Sequence, residues 1–209
     1  NYNTYTTDAL RVWYDGISNT EDGNSSTATT WYDLSGNKNN SSNFIGNSVW
    51  KNNGLQLNGV VPFVGNINDE YTLSMVVKPN HTGVNPYLLY GENFPSIYLD
   101  SNDDYAFVFE GQGLKEKVTP KTILSTEKPS LVTVTYKENT LSVYINAALV
   151  ATLNTDTKPT SIATAYLGGN NASNNLSGTI YSFMLYDKAL SMEEIRSNYI
   201  IDATRFNMK

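Results

Sequence analysis

The chain has 209 residues, a net charge of −6, 40% hydrophobic and 16% charged side chains, and no cysteine. That length and apolar content suffice for one large buried core. The acidic balance, with no long basic run, argues against nucleic acid and anionic membrane surfaces; no apolar stretch approaches the roughly 18 residues needed to insert in a bilayer; the lack of cysteine excludes disulfides and a structural zinc site.

The predicted elements are short and alternating. "ALRVWYD" (9–15) reads as a strand. A polar, aperiodic loop (16–30) follows, then "WYDLSGNKNN" (31–40), where two aromatics run into Asp33, Ser35, Gly36 and three asparagines. "SVWK" (48–51) and "LQL" (55–57) are closed by Asn-Gly turns, the strongest short hairpin signal. "VVPFV" (60–64) carries Pro62, which confines that strand to an edge or a bulge. "YTLSMVVKP" (71–79) is a strong strand, and 86–91, 96–100 and 105–111 form a meander. Residues 130–154 read as two or three strands turning at Lys137–Thr140 and Asn146–Ala148; 163–169 and 178–188 supply the last strands.

One helix is predicted over 191–201. Ser191 followed by Glu194 is a capping box, in which the hydroxyl and the carboxylate each accept a backbone N–H of the other. Met192, Ile195 and Tyr199 give it an apolar face. About a dozen strands with regular turn signals imply an all-β, two-sheet antiparallel sandwich. No repeat, linker or composition break divides it, so residues 1–209 are expected to form a single domain. Trp13, Trp31 and Phe183 are expected in its core.

Several segments are similar to one known family. "YTLSMVVKPN" resembles the Lys-Pro-ended strand of laminin-G-like, concanavalin A-like domains. "SLVTVTYKENTLSVYINAALVATL" resembles their paired strands, and "LSGTIYSFMLYDKALSMEEIRSNY" their closing strand and capped helix. The opening third resembles a bacterial and phage subgroup with "LWLDG" and "WxDLSGNGND" blocks. Two departures are visible: Asn146-Ala147 stands where Asp-Gly is usual, so that turn lacks its glycine, and Lys38-Asn39-Asn40 replaces "GND", losing a carboxylate. The resemblance implies a concanavalin A-like jelly-roll with one short C-terminal helix. It leaves function open, because that fold hosts lectins, glucanases, adhesion modules and spacers.

Each candidate chemistry has a plainer competitor. Glycosidases of this fold need two carboxylates across the scissile bond, which the glucanase branch places in a Glu-x-Asp-x-x-Glu pattern that the chain lacks; its dense carboxylates, Asp100–Asp104 and Glu193–Glu194, fall in a turn and a helix. His81, the one histidine, reads as an exposed turn residue with no nucleophile elbow to serve. The run from Asp100 fails as an EF-hand loop, with Tyr105 and Gly111 where Gly and Glu belong. Ca²⁺ is the one cofactor that the remaining oxygen donors admit. Its ligands would be Asp33, Asn37 and Asn40, with Ser35 nearby and Asp15, Glu21 or Asp22 joining from the preceding loop. The competing account, an Asx-type turn closed on its own backbone, is favoured.

Sugar recognition needs a stacking aromatic beside amide and carboxylate partners. Tyr87, Tyr90, Glu92, Asn93, Tyr98 and Asp103 of the central meander are the candidates, against a core role for each aromatic. The expectation is therefore a non-catalytic, lectin-like recognition domain. Its partner would be a cell-surface glycan or a surface protein, with no nucleic acid and no membrane insertion. Its setting would be an extracellular bacterial adhesin or a phage tail or receptor-binding protein, within a larger multidomain or multimeric assembly. The chain starts at Asn1 with no signal-like segment, which fits an excised domain or processed product. The alternative is a structural or protein-interaction module without glycan binding; a glycosidase is the less favoured third reading.

Overall fold

The computed structural model describes residues 4–91, 96–111, 114–118, 123–155 and 162–209. Among them fifteen strands and one helix are formed. In chain order they are β1 (Leu10–Asp15), β2 (Ile45–Gly46), β3 (Val49–Lys51), β4 (Gly54–Gln56), β5 (Gly59–Gly65), β6 (Tyr71–Lys78), β7 (Tyr87–Gly91), β8 (Ser96–Asp100), β9 (Ala106–Gly111), β10 (Leu114–Lys117), β11 (Ser130–Lys137), β12 (Thr140–Ile145), β13 (Ala148–Asn154), β14 (Ile162–Leu167), β15 (Thr179–Tyr186) and α1 (Met192–Arg205).

They build two antiparallel sheets. One has eight strands in the order β13-β12-β11-β6-β15-β4-β3, with β1 also paired to β15; the other has seven, β10-β9-β8-β7-β14-β5-β2. This is the two-sheet sandwich that the strand pattern predicts, in the jelly-roll form that the resemblance implies. Its core is filled from both layers by every second residue: Leu73, Met75, Val77, Val132, Val134 and Phe183 from one, Phe63, Leu89, Ile97, Leu99, Phe107 and Phe109 from the other. Pro62 lies opposite Tyr166 of β14, on a strand whose other neighbour, β2, reaches only Gly59 and Val60. A residue without an N–H is tolerated there because no partner strand asks for one.

Trp31 and Phe183 are fully buried, as expected, but Trp13 is not in the core. Val12 and Tyr14 of β1 point inward, so alternation turns Trp13 outward, where it meets Tyr5. Helix α1 starts at the capping box and runs to Arg205, beyond the predicted 201. Its buried positions include Asn198 and Asp202, two polar residues that hide the apolar period. Both are satisfied. Asn198 accepts from Thr6 N and donates to the Tyr186 hydroxyl, while Asp202 accepts from the Tyr5 hydroxyl at 2.6 Å.

Residues of α1 and the C-terminal segment complete two small apolar clusters on the outer side of the eight-stranded sheet, around Met184, Tyr186 and Ile195 and around Tyr181, Ala203 and Phe206. No described helix or third layer lies over the outer face of the seven-stranded sheet. On the seven-stranded sheet the outward Tyr87, Tyr90 and Tyr166 are partly exposed, while the outward Ser96, Tyr98, Ala106 and Val108 are buried.

Candidate functional site

The loop 31–40 is a clasp. Asp33 is buried, and its carboxylate accepts four hydrogen bonds: Trp13 N at 2.8 Å and Ser35 N at 2.9 Å on Oδ1, Ser35 Oγ at 2.8 Å and Asn39 N at 2.9 Å on Oδ2. Asn40 Oδ1 accepts from Asp33 N, and Asn37 Nδ2 donates to Leu10 O and Ser35 Oγ. Lys38 adopts φ +60°, and Gly36 φ +91°. The effect is to lock the loop onto β1. The Asp33 carboxylate and the Asn40 Oδ1 proposed as calcium ligands are thus engaged by protein donors, an arrangement that suits a carboxylate already compensated rather than one awaiting a cation. Among the described residues no group of three or more His, Asp or Glu is placed to hold a metal ion.

The candidate surface is the outer face of the seven-stranded sheet around β7, β8 and β14. Tyr87 of β7 pairs with Tyr98 of β8, so both side chains share a face; the rings meet at 5.3 Å. Strict alternation would send Tyr90 to the opposite face, being three residues on. A bulge prevents this. Leu89, not Leu88, pairs with Ile97, and Leu88 and Leu89 both enter the core. The extra residue restores Tyr90 to the face of Tyr87, with rings 5.2 Å apart. Across the next ladder Tyr166 of β14 lies opposite Tyr90, the rings stacked at 6.4 Å. Four tyrosines from three adjacent strands thereby form one continuous cluster, in which Tyr87, Tyr90 and Tyr166 are half-buried and Tyr98, only 8% exposed, closes the β8 side. Their hydroxyls have no hydrogen-bond partner among the described residues.

Beside this patch, Glu110 of β9 faces Lys115 of β10 across 3.7 Å. Partial burial, with Glu110 nearby, raises the phenol pKa of Tyr87 and of Tyr98. At the end of the meander Lys117 bridges Asp100 and Asp103, at 2.9 and 2.8 Å. That pairing holds the Asp100 carboxyl below its ordinary value.

Of the sequence candidates, then, Tyr87, Tyr90 and Tyr98 come together. Asp103 is in the β8–β9 turn with its carboxylate on Lys117, and Glu92 and Asn93 lie outside the described residues. Tyr166 was missed by sequence reasoning. Its signal, a tyrosine in the alternating "ATAYL", acquires meaning only once β14 is known to pair with β7. His81 is half-buried rather than exposed. It stacks on Tyr105 at 3.7 Å, and burial lowers its pKa.

Comparison with known proteins agrees with this architecture. A family model described as the concanavalin A-like lectin/glucanases superfamily (Laminin_G_3) matches residues 51–196. No curated protein matches the chain. Among solved structures, Trypanosoma rangeli sialidase superposes with a TM-score of 0.68 at 20% identity, covering 94% of this chain and 33% of its own. Domain 4 of AbnA, an extracellular GH43 arabinanase from Geobacillus stearothermophilus solved with arabinotriose, gives 0.69 at 16%, covering 90% of this chain and 96% of that one. The binding domain of botulinum neurotoxin DC, in complex with SialylT, gives 0.66 at 18%, with 94% and 52% covered. The chain thus spans a third of the sialidase chain, and at these identities the likeness establishes the fold. Residues before 51 lie outside the family match, yet β1 is part of the same sandwich through its pairing with β15.

Proposed function

Because the chain belongs to the concanavalin A-like lectin/glucanases superfamily, we propose that it is a non-catalytic recognition domain that binds cell-surface carbohydrate through its tyrosine face. The observation that carries this reading is the contiguous cluster of Tyr87, Tyr90, Tyr98 and Tyr166 on the outer face of the seven-stranded sheet, over which no described helix lies. A sugar offers an apolar C–H face and a hydroxyl rim. Tyrosine rings pack against the first, while free phenol hydroxyls and Glu110 serve the second. AbnA Domain 4 and the neurotoxin binding domain, solved with arabinotriose and SialylT, support the ligand class.

The non-catalytic assignment has its own support. Glycoside hydrolysis needs two carboxylates roughly 5–9.5 Å apart across the scissile bond. Here Asp100 and Asp103 are held on Lys117, and Glu110 faces Lys115. The domain, taken as residues 1–209, is placed outside the cell, on a bacterial surface protein or phage tail, as part of a larger or multimeric protein. The resemblance of the opening third, with its "WYDLSGNKNN" block, to a bacterial and phage subgroup supports that setting.

A glycan array probed with the chain, with Tyr90→Ala and with Tyr166→Ala tests the reading. Either substitution should weaken the best glycan about ten-fold or more, since a stacked ring is worth about 0.5–1.5 kcal/mol beyond the area it buries. Binding that ignores both substitutions would remove this face. A chain that self-associates and ignores every glycan would point to an interaction module instead.

A further inference from the structure

The helix side of the molecule holds a second concavity. Tyr5, Trp13, Leu34 and Ile201 wall a groove of about 440 Å³ between β1 and the C-terminal half of α1. That volume falls within the roughly 300–1,000 Å³ of small-molecule sites. Tyr5 and Trp13 meet edge to face, with centroids 5.3 Å apart and planes at 67°, which makes an aromatic corner.

Arg205 also lines the groove and is held in place. Its Nη2 donates to Asp15 Oδ2, and its Nη1 to the Tyr5 hydroxyl oxygen at 2.9 Å. A guanidinium has five N–H donors, so three remain. Asp15 is spent: it is buried, and its other oxygen accepts from Ile17 N. The tryptophans divide in the same way. The indole N–H of Trp31 donates to Asp15 O and that of Trp50 to Ala28 O, whereas that of Trp13 finds no acceptor among the described residues. Thr4, Thr7 and Ser18 complete the lining. The groove therefore combines an aromatic corner with unspent donors, and the one carboxylate lining it is already bonded.

A donor-rich corner of this kind selects a ring that carries an acceptor. We propose that the groove is a second carbohydrate subsite, taking a single pyranose unit that bears a carbonyl-type oxygen, either an N-acetyl group or a carboxylate. The ring's C–H face packs into the Tyr5–Trp13 corner, and the acceptor oxygen receives the Trp13 indole N–H and Arg205. A sugar with hydroxyls alone leaves those donors poorly matched, and such a mismatch is what polar sites discriminate most strongly. The subsite and the tyrosine face lie on opposite layers of the sandwich. One domain would then engage two glycans, a geometry that raises avidity on a crowded surface without adding contacts at either site. This inference stands whether or not the tyrosine face binds.

The three indole N–H groups provide the readout. In a ¹⁵N–¹H correlation spectrum of the whole chain, Trp31 and Trp50 act as internal controls, and Trp13→Phe assigns the third signal by removing it. The chain is titrated at millimolar concentration with N-acetylglucosamine, glucuronate and glucose. The expected result is a saturable shift of the Trp13 signal alone with N-acetylglucosamine, with glucuronate or with both, and binding of glucose about ten-fold weaker or less. Which of the two probes acts identifies the neutral or the anionic acceptor. Tyr90→Ala should leave the shift unchanged. A Trp13 signal unmoved by all three sugars, an equal response to glucose, or loss of the shift in Tyr90→Ala would overturn the proposal.

Discussion

Removing Asp33 should destabilise the protein more than any exposed polar substitution, and the reason is countable. Its buried carboxylate is the acceptor for Trp13 N, Ser35 N, Ser35 Oγ and Asn39 N, all within 2.9 Å. Hydrogen bonds to a charged group contribute about 1.5–3 kcal/mol each, and a buried donor left unpaired costs about 1–3 kcal/mol. In Asp33→Ala the Ser35 hydroxyl still has Arg11 O to donate to, and water reaches the half-buried Ser35 and Asn39. The Trp13 N–H, inside β1, bears the full loss. The total comes to about 3–5 kcal/mol, or about 6–20 °C in melting temperature for a domain of this size. Asp33→Asn keeps Oδ1 for two donors and opposes an amide to Asn39 N, so about 2 kcal/mol is expected. Urea unfolding followed by tryptophan fluorescence, with and without calcium, measures both variants. A cost below about 1 kcal/mol for Asp33→Ala would refute the clasp. So would calcium raising the wild-type midpoint but not the variant's, because a cation held at a hundred times its dissociation constant adds about 2.7 kcal/mol.

Ala147 occupies φ +64° in the β12–β13 turn, a conformation that costs an L-residue about 1–2 kcal/mol, yet its methyl is buried against Leu10, Met184 and Ile195. Ala147→Gly relieves the strain but loses about 0.8 kcal/mol of methyl burial and about 0.4–1 kcal/mol of unfolded-state entropy, so its net effect should fall within about 1 kcal/mol of zero. Glu138→Gly, at φ +48° on an exposed turn, has no burial to lose and should stabilise by about 0.5 kcal/mol; a larger gain at Ala147 than at Glu138 in chemical denaturation would contradict both estimates. Burial pushes the Asp202 carboxyl up to about 7, against ~3.9 unfolded, so the folded state keeps a proton that the unfolded chain releases and stability falls as pH rises from about 4 to about 7. Asp202→Asn, whose amide oxygen still accepts from Tyr5, should gain on the wild type across that window and level off above it; a difference constant from about pH 4 to 8 in thermal melts would show that Asp202 does not titrate there. Ser191→Ala removes the hydroxyl that accepts Glu194 N at the start of α1 and should cost about 1 kcal/mol, read by the same melts, with a value near zero arguing that Glu194 alone holds the cap.

The strands were legible because each has one side facing a core, and alternation writes that into the sequence. The turns were legible where their chemistry is local: Ser191 with Glu194, the Asn52-Asn53 turn between β3 and β4, Pro79 closing β6; Asn58-Gly59, read as a hairpin turn, instead carries the chain from one sheet to the other. Trp13 was not. "LRVWYD" carries large apolar groups on both parities, since β1 has the sandwich core on one side and the Tyr5 and α1 layer on the other. A strand covered on both sides loses the contrast that alternation relies on. The end of α1 failed for a related reason. Asn198 and Asp202 are buried, but as partners of Thr6, Tyr186 and Tyr5, residues far away in sequence.

The tyrosine face shows where the limit lies. Nothing in "YLLYG" marks Leu88 as an inserted residue; the string reads equally well as a regular strand with Tyr87 and Tyr90 on opposite faces. The bulge is settled by which of two leucines opposes Ile97, and that depends on filling the core between the sheets with both Leu88 and Leu89. Packing of the interior thus decides which tyrosines reach the exterior. Tyr166 joins them only because β14, some 75 residues later in the chain, inserts between β7 and β5. Tyr87, Tyr90 and Tyr98 were visible as candidates by their chemistry, and Tyr166 was not. Their adjacency is a property of the core and the strand order, and no single segment of the sequence encodes either.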